Sequence, residues 1–358
     1  MKRRESVDDL RKKIDQVDEK IVELLSQRAS LAQAIGRTKS LGSEEVFVPS
    51  REKEIFQRLS KLNRGPLPEK SIHAVYREIL SASRSLEAPL RIAYLVPEAT
   101  FTHLAARERF GSSTTFIPAA SIPEVFQEVS QRRANYGVVP IENSTEGAVT
   151  HTLDLLVEAE VKICAEAYLD IHLYLLSRSG KAANIRKIVS HPQALAQCRG
   201  WLTSHLPKIP VEEVSSTAHA AELAAADPNL AAVSSRLAKE LYGLEAVEEN
   251  VEDNANNITR FLVIGNQTTK PSGDDKTSLV FSVKDEVWVL HRMLDPFAKN
   301  RINLTKIESR PLKNKPWEYL FFLDLRGHVK EPRVQRAIQK LEKRCLFMKI
   351  LGSYPCAV

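Results

Sequence analysis

From Val7 to Ile35, apolar residues recur at intervals of three and four, at Val7, Leu10, Ile14, Val17, Ile21, Leu24, Leu31 and Ile35. That period requires a long helix with an apolar seam, and such a seam is stable only when another helix covers it. Ser6-x-x-Asp9 resembles a capping box, and the pattern predicts helix from Ser6 to about Leu41. Gly42 to Pro49 breaks it, a shorter helix follows from about Ser50 to Leu62, and after the Gly65-Pro66-Leu67-Pro68 turn a third runs through Ile72, Val75, Ile79 and Leu86. Residues 1–88 are therefore expected to form an all-helical domain.

At Pro89 the period changes. Leu90 to Leu95 and Tyr136 to Ile141 read as buried strands alternating with helical stretches at Thr102 to Phe110 and Ile122 to Arg132. Strands at Ile185 to Ser190 and Ala231 to Ser234, a helix at Arg236 to Tyr242 and a strand at Phe261 to Ile264 continue an α/β region over 89–267. The polar stretch Asn266 to Lys276 reads as a linker. Beyond it, over 276–354, the order is strand, helix, strand, strand, helix, strand, a ferredoxin-like βαββαβ pattern.

A chain of 358 residues has room for these three domains, and the three patterns are not repeats of one another. No apolar run approaches the ~18 residues that span a bilayer, and the charged start MKRRESVDDLRKK lacks a signal sequence's apolar core, so a cytoplasmic protein is expected. The balance of 51 basic against 45 acidic residues gives +6, which suits small anionic ligands but is no nucleic-acid footprint. Cys164, Cys198, Cys345 and Cys356 show no CxxC spacing and read as reduced thiols. HExxH, GxGxxG and P-loop patterns are missing as well, so no metal and no cofactor is expected.

In the heptad frame Arg28 falls on the seam, between Leu24 and Leu31. A buried cation needs an anion, so either a ligand meets it, or it pairs with a Glu or snorkels out. Arg11 and Lys39 flank the seam. Arg11 and Arg28 lie about 25 Å apart along one helix, too far to share a small ligand within one chain. Antiparallel two-fold pairing would bring one copy's Arg11 toward the other's Arg28 and Lys39; a purely structural coiled-coil dimer fits the same pattern.

The segments LRKKID-x-VDEKIVELLSQR, GRTKS and PSREKEI resemble the helical chorismate mutase domain of bifunctional phenylalanine-biosynthesis proteins. The resemblance implies that Arg11 from a partner chain, with Arg28, Lys39, Arg51, Glu52 and Ser83, binds chorismate, and that Glu87 stands where many relatives have Gln. The reaction is an intramolecular rearrangement of a dianion. It needs cations that fold the substrate and donors for charge developing on the ether oxygen. Lys39 is the first expected donor. Glu87 can be the second only when protonated, so mutase activity is expected to fall as pH rises. Val48 replaces an Asp that relatives place near the substrate hydroxyl, a loss expected to weaken binding by roughly 0.5 to 1.5 kcal/mol.

In the α/β region, polar clusters sit at strand ends: Glu142-Asn143-Ser144-Thr145-Glu146-Gly147, Ser190-His191-Pro192-Gln193, Ser216-Thr217-Ala218 and Asn257-Ile258-Thr259-Arg260-Phe261. Open α/β sheets bind ligands at such ends. In this order the clusters resemble prephenate dehydratase, which implies two lobes around a cleft. Prephenate loses carbon dioxide and its ring hydroxyl together, so a donor at the departing oxygen is required. The resemblance assigns that donor to Thr259, with Asn143, Ser144, Gln193, Thr217, Arg260 and Phe261 as substrate contacts. His191 either contacts substrate or only shapes its loop. Val96 and Ala99 replace glycines of the family, which would strain the loop if positive φ is needed there.

The stretch from Asp295 through Glu308-Ser309-Arg310-Pro311 resembles the ACT regulatory domain that follows prephenate dehydratase and binds phenylalanine at dimer interfaces. By that resemblance Trp288, Leu290, Asn303, Leu304, Glu308, Ser309 and Arg310 form the effector site. Trp288 replaces a glycine and is expected to fill or reshape the pocket and weaken feedback. The combined expectation is a bifunctional enzyme, at least a homodimer, acting on chorismate and prephenate. The competing expectation is a degenerate homologue that only senses aromatic metabolites.

Overall fold

The computed structural model describes residues 6–39, 46–284, 286–311 and 319–357. Three helices open the chain: α1 (Val7–Lys39), α2 (Pro49–Leu62) and α3 (Glu69–Glu87). Ser6 Oγ accepts the Asp9 amide, the capping interaction expected there. The expected end of the first helix near Leu41 and the side chain of Lys39 lie outside the described residues.

A long α/β run follows, with β1 (Arg91–Leu95), α4 (Phe101–Phe110), β2 (Thr115–Ala119), α5 (Ile122–Ser130), β3 (Tyr136–Asn143), β4 (Gly147–Ala148), α6 (Thr150–Glu158) and β5 (Lys162–Asp170). The next stretch holds β6 (Tyr174–Ser177), β7 (Lys187–Ser190), α7 (Pro192–Gln197), α8 (Arg199–His205), β8 (Val211–Glu213), α9 (Thr217–Ala226), β9 (Leu230–Ser234), α10 (Arg236–Tyr242) and β10 (Glu245–Glu249). The chain ends with β11 (Ile258–Gly265), β12 (Asp275–Ser282), α11 (Val289–Lys299), β13 (Leu304–Pro311), β14 (Tyr319–Arg326), α12 (Pro332–Glu342) and β15 (Phe347–Pro355).

Two compact units result: 1–48, 56–90 and 110–115 form the first, and 49–55, 91–109 and 116–358 the second. In the first, α1 packs on α3. Gly36 makes that approach possible, because a Cβ there would meet Glu87 Cα at 3.0 Å. The seam of α1 stays open, with Leu24 63% and Leu31 67% exposed. In the same last turn of α3, Arg84 donates to Phe110 O at 2.6 Å and lies over the Phe47 ring, which packs on Phe110.

The second unit contains three sheets. The first has the order β2-β1-β3-β11-β5, with β4 on β3, and the second β10-β6-β9-β7-β8. The chain leaves the first sheet after β5 and returns with β11, which inserts antiparallel between β3 and β5. Two lobes joined by two crossings follow from that return. The third sheet, β13-β14-β12-β15, carries α11 and α12 on one face, the βαββαβ arrangement expected from the sequence.

Its other face shares a core with the first sheet. Val280, Phe322, Leu351 and Tyr354 pack with Val139, Ile141, Leu262 and Ile264. The contact is close at Gly352, where a Cβ would lie 2.2 Å from Ile163 O. The stretch expected to be a linker is fastened too: Asn266 donates to Val129 O at 2.7 Å, and Thr269 bonds Ser353 O and Gln267 bonds the Tyr136 hydroxyl. Its polar side chains find partners in the folded unit, which a polar composition alone does not reveal.

Candidate active sites

In the helical unit Arg28 is half buried and donates to the Ser83 hydroxyl, which itself donates to Ile79 O at 2.7 Å. Two of the expected chorismate residues, on α1 and α3, thus meet. Arg11 is exposed beside Asp8 at 3.4 Å. Arg51 pairs with Glu54 at 2.7 Å on α2. Glu52 is buried, and its carboxylate accepts from Arg109 of α4 at 2.6 Å, so a protein cation already holds it. Val48 is the N-cap of α2 and makes no side-chain cap.

In the second unit the cleft residues come together around Asn143. Its Nδ2 donates to Thr259 Oγ1 at 2.8 Å and to Asn257 Oδ1 at 2.7 Å. Its Oδ1 accepts from the Thr145 and Glu146 amides at 2.9 and 3.2 Å, which fixes the amide's orientation. Glu146 then receives Gln193 and Gln197 of α7, so the network reaches from β3 to the other lobe. Asn257 donates to Gln197 at 3.2 Å and closes the ring. Glu146 and Asn257 belong to the strand-end clusters of the sequence but carry no assigned role there, and Gln197 lies outside those clusters.

Other expected contacts sit apart from this group. Ser144 Oγ donates to Asn256 O at 3.0 Å and accepts the Ile258 amide at 2.9 Å, so it clasps the ends of β3 and β11. Phe261, 1% exposed, is core. Arg260 is one residue along the strand from Thr259 and projects from the opposite face. There it donates to Glu166, Asp324 and Tyr354 at 2.9, 2.6 and 3.0 Å. Burial works against its charge, but Tyr354, Asp324 and Glu166 outweigh that and hold its pKa above the ordinary arginine value. Arg260 and Phe261 thus lie away from the Asn143–Thr259 group, and Ser144 is engaged at the strand ends. Thr217 opens α9 behind the Ser216 cap, and His191 caps α7 by accepting the Gln193 amide at 3.3 Å.

The loop after β1 shows the strain expected of a glycine replaced. Ala99 has φ +66°, a left-handed conformation that costs an L-residue about 1–2 kcal/mol, whereas Val96 is not in that region. The loop is held by Ser235 Oγ, which donates to Ala99 O at 2.8 Å, and by His103, whose Nδ1 accepts the Ala99 amide at 3.2 Å. Burial against Tyr94, with Arg107 nearby, lowers the His103 pKa to about 4.

Family models for chorismate mutase type II, prephenate dehydratase and the ACT domain match residues 10–88, 92–269 and 277–343, in that order. A bifunctional chorismate mutase/prephenate dehydratase from Aquifex aeolicus (strain VF5) is 49% identical over 99% of both chains. The chain belongs to this family. As a member it carries both activities, an isomerase step and a lyase step, and the degenerate-sensor reading finds no support in so similar a full-length relative.

Among solved structures, prephenate dehydratase from Arthrobacter aurescens in complex with L-Phe aligns with TM-score 0.68 and 34% identity, over 74% of this chain and 90% of that one. A protein described as a novel type of quorum-quenching acylase aligns with TM-score 0.68 and 31% identity, over 75% and 98%. One fold thus carries differently named activities, and the side chains of the cleft have to decide between them.

In the ACT domain Trp288 takes a left-handed conformation, φ +66°, before α11 and is 73% exposed. Leu290 follows it on the helix, and Asn303 O accepts the Arg326 amide at 2.8 Å. On β13 the burial alternates: Leu304, Glu308 and Arg310 are partly buried and Ser309 is exposed. Arg310 turns toward α6, 3.3 Å from Asp154.

Proposed function

We propose that Thr259 delivers the hydrogen bond that lets the ring hydroxyl of prephenate depart, and that Asn143 orients it. The supporting observation is the 2.8 Å contact in which Asn143 donates to Thr259 Oγ1, leaving the threonine proton free to turn toward substrate. In this reading Gln193 and Thr217, at helix starts of the second lobe, receive the substrate's carboxylates. Loss of carbon dioxide and hydroxide then gives phenylpyruvate.

The mutase step uses Arg28, Arg51, Ser83 and the partner copy's Arg11 to fold chorismate, with Lys39 and protonated Glu87 at the ether oxygen. A homodimer is part of this reading, supported by the open seam of α1. Phenylalanine is the proposed effector, and Trp288 occupies part of its pocket. The place of action is the cytoplasm; among the described residues no helix is long and apolar enough to cross a membrane.

The test is to supply chorismate and follow chorismate, prephenate and phenylpyruvate together, with and without phenylalanine. Thr259→Ala is expected to lower dehydratase kcat by about 100-fold or more while prephenate still accumulates. Full dehydratase turnover in Thr259→Ala would remove the assignment. Trp288→Gly is expected to strengthen inhibition by phenylalanine, and an unchanged response would remove that role of the tryptophan.

A further inference from the structure

The register of β11 sets two pairs back to back. Thr259 lies opposite Asn143, and Arg260 lies opposite Glu142. The first pair hydrogen-bonds in the cleft. The second faces the ACT sheet, where Lys306 Nζ of β13 stands 2.8 Å from Glu142 Oε2, and Arg260 stands 3.9 Å from the same carboxylate. Moving Glu142 or Arg260 therefore moves a peptide bonded directly to Asn143 or Thr259.

The two halves of this contact differ in quality. Arg260 is fully engaged by Glu166 on β5, Asp324 on β14 and Tyr354 on β15, and Lys276 of β12 also holds Glu166, at 2.7 Å. Stripping a partner from so buried a cluster would leave a charge uncompensated, so this half is fixed. The other half is a close ion pair between Lys306 and Glu142. Among the described residues Lys306 Nζ is buried without a well-formed hydrogen bond despite its nearness to Glu142, and so is Arg310 Nη1 on the same strand. Among the described residues β13 is an edge strand, paired only with β14. A small, mainly apolar cavity, lined by Ile141, Leu262 and Phe322 among others, also borders Lys306, Arg260 and Asp324.

We propose that Lys306 is a positioning residue of the dehydratase reaction. By engaging or releasing Glu142, it sets the geometry of the Asn143–Thr259 pair on the opposite face of the sheet, and β13 is the strand whose movement controls it. The inference rests on the reading of Thr259 as the reacting donor. It predicts a change in kcat rather than in substrate binding, because the Thr259 contact tightens only as hydroxide leaves.

The experiment uses the full chain and compares Lys306→Met, Glu142→Gln and the double variant, with mutase turnover of each sample as a control on folding. Each single variant is expected to lower dehydratase kcat about 10-fold with KM within about 2-fold, and the double to be no worse than the worse single. Lys306→Arg is expected to recover most of the rate, and Lys306→Gln serves as a second neutral variant if Met disturbs the fold. Unchanged kcat in Lys306→Met and Lys306→Gln, alongside loss in Thr259→Ala, overturns the proposal. Equal losses of mutase and dehydratase, or multiplicative losses in the double variant, overturn it too. An active Thr259→Ala would instead overturn the reading beneath it.

Discussion

Two apolar seams in this molecule meet opposite fates. On α1, Val7, Ile14, Leu24 and Leu31 remain more than half exposed. On β11, Leu262 and Ile264 are covered by Val280, Phe322 and Leu351 of the ACT sheet. The chain therefore completes the second seam from its own sequence, whereas the first stays exposed among the described residues, and a second copy is its proposed cover. Burying an apolar side chain is worth about 1.5–3 kcal/mol, so a 33-residue helix with so many exposed ones has a strong reason to pair.

The sharpest way to break this contrast is Leu24→Glu with Leu31→Glu. If a second copy supplies Arg11, the double variant is expected to lose the association made through α1, seen by sedimentation of a fragment or as a smaller or more open assembly of the full chain, and to lose mutase kcat/KM by about 100-fold, the scale of a lost positioning group. Dehydratase kcat, served by the self-completed seam, is expected to stay within about 2-fold. Loss of that association with intact mutase activity would show that the site lies within one chain.

A smaller effect sharpens the comparison from the side of the second unit. His103 is 6% exposed, and burial holds its folded pKa near 4 against the ordinary 6.5. The unfolded chain therefore binds the extra proton first. The stability gained from the neutral imidazole is fully present above pH 6.5, is lost progressively as pH falls from there toward 4, and amounts to about 3 kcal/mol. Protonation would also convert the Nδ1 acceptor of the Ala99 amide into a donor and release the loop after β1. Thermal melts between pH 4 and 7 should show this slope in the wild type, and His103→Phe, which keeps the stack on Tyr94, should flatten it.

Periodicity carries the main elements because an apolar face shows in its spacing whether or not the chain itself covers it: helix α1, the apolar runs of β3 and β11 and the βαββαβ order appear where the pattern puts them. The meeting of Arg28 with Ser83 and of Asn143 with Thr259 depended on motif resemblance, since 55 and 116 residues separate the partners. What could not be read was the face on which a strand residue points relative to a sheet 60 residues later. Arg260 sits in the same motif as Thr259, yet alternation turns it away from the cleft and toward Asp324. Glu52 was similarly opaque, because its partner Arg109 lies on a helix of another sequence region.

The smallest expected effect tests how far α2 depends on its own cap. Val48 precedes Pro49 in an extended conformation, φ −121°, so its backbone is already that of an N-cap while its side chain offers no acceptor. Proline at the first helical position removes one unmet amide, but the next two remain without a capping side chain. Val48→Asp supplies an oxygen for them and a negative charge at the positive end of the helix, together worth about 1 kcal/mol. Slower hydrogen exchange at the Ser50 and Arg51 amides would report that gain directly. If the same carboxylate also meets the substrate hydroxyl, KM for chorismate should fall by about 2- to 10-fold, the equivalent of one hydrogen bond. Slower exchange with unchanged KM would assign the residue to the cap alone, whereas a lower KM without slower exchange would place its whole effect on the ligand.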